Sequence, residues 1–163
     1  IVGLSANLGI FIKERQKLDS DEWAPVTTDD YANVLADLKS GATANIELSR
    51  CAKTESQLVE FIIYGEKGYI RYCNYVGEGL EICYGSKEEI KKGKQRVATP
   101  EEYGENGAIY QSQSFLDYAN GKSDNFTSTI DDGLRAQMII DAVVRSNEEK
   151  RYVKIEEIEK ELK

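Results

Sequence analysis

The sequence runs to 163 residues with 40% hydrophobic and 31% charged content, enough for a globular domain with its own core. A formal charge of −8 argues against nucleic acid or an anionic membrane surface as the main partner, and no apolar run reaches transmembrane length. Histidine is absent, which removes the commonest general base and metal ligand.

Residues 1–12, IVGLSANLGIFI, have strand composition, and the charged stretch KERQKLDSDEWAP after them reads as a loop or edge excursion. The chain opens inside this strand and Met138 is its one methionine, which predicts a piece of a longer polypeptide. Residues 30–50 give the clearest hairpin. Val34, Ala36 and Leu38 alternate with Asn33, Leu35 and Asp37, Ser40-Gly41 turns the chain, and Ala44, Ile46 and Leu48 resume the pattern. QLVEFIIYG (57–65) and GYIRYCNY (68–75) form a second hairpin, GLEICYG (79–85) a further strand, and KQRVAT (94–99) a weaker one.

After residue 106 the period changes. Ile109, Phe115, Leu116 and Ala119 recur at helical spacing and Gly121 stops the helix. A second helix begins near Ile130, because Thr129-Ile130-Asp131-Asp132 matches a capping-box start. Its apolar face, Leu134, Met138, Ile139, Ala142 and Val143, is wide enough to lie across a sheet. YVKI (152–155) reads as a short strand and the acidic end as a short helix. Strands followed by helices predict an α+β fold over residues 1–163, a single domain. It is a large open, mostly antiparallel sheet with helices packed on one face.

Tyr64, Tyr69, Tyr72, Tyr75 and Tyr84 lie in neighbouring strands, and few helices exist to cover both sheet faces. Two readings stand: a tyrosine-rich face that meets a partner, or scattered half-buried rings with wet hydroxyls. Cys51, Cys73 and Cys83 form an odd set without CxxC spacing, which fits buried thiols in a reducing cytosol.

Gly65-Glu66-Lys67-Gly68 lacks the spacing, the Lys-Ser/Thr ending and the following helix of a phosphate loop. A turn with Gly68 at positive φ, leading into a bulge, accounts for it. Gly77-Glu78-Gly79 is also followed by a strand and is no dinucleotide fingerprint. If the strand has already begun at the adjacent Asp29 and Asp30, they point to opposite faces and cannot chelate one ion together, and Asp131-Asp132 sits where carboxylates cap a helix. No metal is assigned. LSRCAKTESQ (48–57) is the best functional segment. Arg50 leaves a strand into a polar loop of Lys53, Thr54 and Gln57, suited either to binding a carboxylate, phosphate or sugar hydroxyl or to a solvated salt bridge. No nucleophile–base pair is present.

Taken in order, TTDDYANVLADLKSGATANIELSR, FIIYGEKGYIRY, YQSQSFLDYANGK and STIDDGLRAQMIIDAVVRSNEEKRYVKI resemble the C-terminal domain of the Gfo/Idh/MocA oxidoreductases. These are relatives of glucose–fructose oxidoreductase and inositol 2-dehydrogenase, and the resemblance runs from about Tyr31 to Ile155. It implies an open sheet whose free face makes subunit contacts, hence a homo-oligomer. It also implies a missing N-terminal Rossmann domain that binds NAD or NADP and carries the E-K-P lysine. An aspartate–histidine pair is expected on a helix just before the first sheet strand. None of these motifs is in the 163 residues, so no catalytic residue carries over. What carries over is pocket lining: Arg50, Thr54 and Gln57 after the S-R strand, with Tyr110 and Gln111 at the start of the YQSQSF helix. The intact parent is then expected to pass hydride between a sugar, polyol or related hydroxy compound and nicotinamide. The chain alone is expected to be inactive. The alternative is a non-enzymatic module that dimerises or binds through its sheet.

Overall fold

Alternation decides which residues meet in the first sheet. The computed structural model describes residues 1–52, 59–74, 79–85, 88, 95–97, 107–122 and 127–162. Strands β1 (Gly3–Gly9), β4 (Tyr31–Asp37), β5 (Thr43–Ser49) and β10 (Val153–Lys154) form an antiparallel sheet in the order β10-β1-β4-β5. The register pairs Leu4 with Ala36 and Val34 with Ile46. With a side-chain period of two, Leu4, Ala6, Val34, Ala36, Ala44 and Ile46 share one face, while Ser5, Asn7, Asn33, Asn45 and Glu47 share the other.

Helix α2 (Ile130–Glu149) covers the apolar face. Met138 and Ala142 pack on Leu4, Val34 and Ala36, and Val153 joins them with Ile155 and Ile158 of helix α3 (Ile155–Glu161). Each large side chain buried there contributes about 1.5–3 kcal/mol. The expected capping box is present. Thr129 Oγ1 accepts from the Asp132 amide at 3.3 Å, and Asp132 Oδ2 accepts from the Thr129 amide at 2.9 Å. The helix ends on Lys150 at φ 52°, a left-handed cap filled by lysine instead of glycine.

The segment expected to be a plain excursion is a two-stranded ribbon. β2 (Glu14–Gln16) pairs antiparallel with β3 (Trp23–Pro25), closed by Lys17 N donating to Glu22 O at 2.9 Å. These elements belong to a unit made of residues 1–52 and 128–163.

Residues 53–127 form a second unit, whose four strands lie in chain order and pair antiparallel throughout. Its strands are β6 (Glu60–Gly65), β7 (Gly68–Cys73), β8 (Gly79–Tyr84) and β9 (Gln95–Val97), followed by helix α1 (Gly107–Ala119). Gly121 ends α1 at φ 78°, as expected of a glycine stop. The register divides the tyrosines. Tyr72 and Tyr84 share a face with Phe61, Ile63, Ile70, Leu80 and Ile82; Tyr64 and Tyr69 lie on the other, beside the Glu60–Arg71 ion pair. No single tyrosine face therefore exists among them, and Tyr75 lies outside the described residues. The exposed surface is aliphatic and aromatic together: Phe61, Ile63, Ile70 and Tyr84 all face solvent. On the polar side Tyr69 donates to the buried Glu81 carboxylate at 2.6 Å.

Candidate functional site

Antiparallel pairing of β4 with β5 sets Ser49 opposite Tyr31, so the chain leaving β5 runs beside the residues entering β4. Two hydrogen bonds hold it there. The Arg50 amide donates to the Asp30 carbonyl at 2.7 Å, and Arg50 Nη1 donates to Thr28 Oγ1 at 3.1 Å. The guanidinium is exposed and, among the described residues, has a neutral hydroxyl as its partner and no carboxylate.

Asp30 is only 1% exposed. Its Oδ2 accepts from the amides of Phe11 and Ile12, both at 2.8 Å, and its Oδ1 faces Arg15 Nη2 at 3.4 Å. Cys51 lies beside the same carboxylate. The Ile12 amide holds the Asp30 carboxyl down at about 2 despite the opposing effect of burial, with help from Cys51, Phe11 and Arg15. Burial and then Asp30 itself push the Cys51 thiol up, so at neutral pH it is a donor and not a nucleophile. Phe11 also stacks on Tyr31 with ring centroids 4.6 Å apart, and Gly9 opposite Tyr31 leaves room for that ring.

Of the residues expected to line a pocket, Arg50 lies beside this cluster. Thr54 and Gln57 lie outside the described residues. Tyr110 belongs to α1 with its side chain outside the described set, and Gln111 is exposed on the same helix. Thr28, Asp30 and Cys51 were not expected. Asp30 was considered only as half of a metal pair. Its oxygens are instead occupied by two amides and an arginine, while Asp29 is exposed. Among the described residues no group of three or more His, Cys, Asp or Glu side chains is placed to hold an ion.

Neither the Gly68 turn nor the start of α2 fits the phosphates of a dinucleotide. Gly68, at φ 149°, opens strand β7, and a Cβ on it would collide with the Cys83 carbonyl of β8. The turn is therefore packed on its neighbour strand and has no cradle. The start of α2 carries Asp131 and Asp132, whose charges oppose an anion. No described helix is long and apolar enough to cross a membrane.

A family profile described as "Oxidoreductase family, C-terminal alpha/beta domain", of the Gfo/Idh/MocA group, matches residues 8–155. The chain belongs to this family. The Gfo/Idh/MocA C-terminal domain so defined contains the whole Asp30–Arg50 cluster. No curated protein matches the chain. Among solved structures, levoglucosan dehydrogenase in complex with NADH and L-sorbose superposes with a TM-score of 0.81 at 22% identity, over 94% of this chain and 45% of that one. An oxidoreductase domain protein from Kribbella flavida gives 0.80 at 25% identity, over 95% and 44%. The transcriptional regulator Gal80p from Kluyveromyces lactis gives 0.66 at 19%, over 96% and 41%. The chain thus spans under half the length of these proteins.

Proposed function

We propose that the chain is the substrate-binding and oligomerisation domain of an NAD(P)-dependent oxidoreductase acting on a sugar, polyol or related hydroxy compound. Family membership carries the reaction class, and Arg50 carries the placement of the substrate: an exposed cation at the end of a sheet strand, hydrogen-bonded to a neutral hydroxyl. A guanidinium so disposed has donors left for substrate hydroxyls or a carboxylate. In this reading Thr54, Gln57, Tyr110 and Gln111 complete the lining.

The cofactor is held in the part of the parent beyond this chain, consistent with the absence of a dinucleotide fingerprint from its sequence and with the packed Gly68 turn. This chain's own share is to bind and orient the substrate. The apolar surface of Phe61, Ile63, Ile70 and Tyr84 supports a second share, contact between copies of the parent, since patches of this kind mark association surfaces. Free thiols fit a reducing cytoplasm.

The test is an assay of the intact parent with NAD and with NADP against a panel of sugars, polyols and hydroxy acids, following reduced nicotinamide at 340 nm. Substrate-dependent reduction by the parent, and none by this chain alone, is the expected result; a parent inert on the whole panel overturns the reading. A non-enzymatic binding or assembly module is the second reading, favoured by the similarity to Gal80p, and that inert outcome would support it.

A further inference from the structure

Asp30 ties together three stretches of chain that are distant in sequence. Its amide donates to the Gly9 carbonyl at 2.8 Å, and its carboxylate receives the next turn of that same stretch through the Phe11 and Ile12 amides. Arg15 closes on the other oxygen. On the opposite flank its carbonyl takes the Arg50 amide at 2.7 Å. A carboxylate this buried is costly unless its lone pairs are filled, and here the donors of Phe11, Ile12 and Arg15 fill them. Nothing about packing alone requires an ion at this spot; a hydrophobic residue would fill the same volume. What only the ion supplies is convergence. Two amides and an arginine can meet on one small side chain only if it is an acceptor, and the same residue's carbonyl then receives Arg50.

We propose that Asp30 is a positioning residue for the substrate pocket: its carboxylate anchors it to segment 9–15 while its carbonyl holds the Arg50 amide, and so it fixes where the Arg50 guanidinium meets the substrate. The inference rests on the pocket role given to Arg50 above. Asp30 itself touches no substrate; it acts through Arg50. The carboxyl stays ionised throughout the range in which an enzyme is assayed, since the Ile12 amide and its other donors hold it at about 2.

Asp30→Asn in the intact parent keeps the shape but removes the charge and turns an N–H₂ group toward donors. The expected result is a rise of about tenfold in KM for the sugar or polyol, with kcat and the KM for NAD within about twofold. Backbone amide exchange should quicken at Phe11, Ile12 and Arg50 and stay unchanged at Val34 and Ala142 in the core. A substrate KM that does not move in an active parent overturns the proposal while leaving the functional reading intact. Should the parent turn over nothing on the panel, the functional reading falls, and exchange at Arg50 then decides the positioning on its own, with unchanged protection overturning it. If Asp30→Asn fails to fold, Arg15→Gln removes one contact to the same carboxylate. It should raise KM severalfold, and an unchanged KM overturns the proposal.

Discussion

The Ser146 hydroxyl of α2 accepts a hydrogen bond from the Ala6 amide of β1 at 2.9 Å and donates to the Arg151 carbonyl at 2.6 Å. β10 pairs with β1 only at Gly3 and Leu4, so the next amides along that edge have no strand partner. The helix supplies one: Ser146 takes Ala6, and Asn147 Oδ1 takes the Leu8 amide at 3.0 Å. A sheet edge is thereby closed by helix side chains, which also fixes the helix along the strand.

Ser146→Ala should therefore cost more than a surface hydroxyl. Ser146 is 1% exposed, and its removal leaves the Ala6 amide and the Arg151 carbonyl without this partner. Leaving a buried polar group unsatisfied costs about 1–3 kcal/mol. Urea melts of the two proteins should show the midpoint fall with the slope unchanged.

Gly68 and Gly121 both have positive φ, at 149° and 78°, yet they differ in what surrounds them. A Cβ at Gly121 meets open space, whereas at Gly68 it runs into the Cys83 carbonyl and the Tyr84 backbone. Gly121→Ala should cost only the backbone term, about 1–2 kcal/mol. Gly68→Ala should cost that and the displacement of β8 besides, so the loss should be plainly the larger of the two. Equal losses in parallel denaturation curves would mean that β8 yields freely to the turn.

Stability should fall on the acid side through two identifiable carboxylates. The Ile12 amide holds Asp30 at about 2, and Glu157 is held at about 2 first by the Arg151 side chain and then by the Lys154 amide. Both folded values lie below the ordinary ones, so the unfolded chain binds protons first as pH drops. Their contribution is complete above the ordinary carboxylate range and is lost as pH falls from about 4.5 toward 2. Thermal melts at steps across that window should show Glu157→Gln with a shallower acid decline than the parent sequence and a lower melting point at pH 7.

Much of this architecture was legible in advance because its signals are local. The alternation from Val34 to Leu48 gave the central hairpin, and Thr129 with Asp132 gave the start of α2. What escaped depends on partners that carry no side-chain signature. Asp30 looks like any surface acid until the amides of Phe11 and Ile12 are brought to it. The β2–β3 ribbon is built from mostly exposed residues of mixed type, Glu14, Arg15 and Gln16 against Trp23, Ala24 and Pro25, with no burial to impose a period. The tyrosines could be counted but not assigned to faces, because a face follows from register and a shift of one residue reverses it.

The proposed role of Arg50 makes a separable demand on binding and on stability. Its guanidinium is exposed and bonds one threonine hydroxyl at 3.1 Å, so truncation removes little that holds the fold. A charge-assisted hydrogen bond to substrate, by contrast, is worth about 1.5–3 kcal/mol. Arg50→Ala should then raise the substrate KM of the intact parent by about ten- to a hundredfold, at about 1.4 kcal/mol per factor of ten. The melting temperature should move by only a degree or two. Arg50→Lys should recover part of the loss, since it keeps the charge but gives up the planar fork and the fixed bond to Thr28. An alanine variant with full affinity would place the substrate elsewhere, and Arg50 would then be a solvated residue at the end of β5.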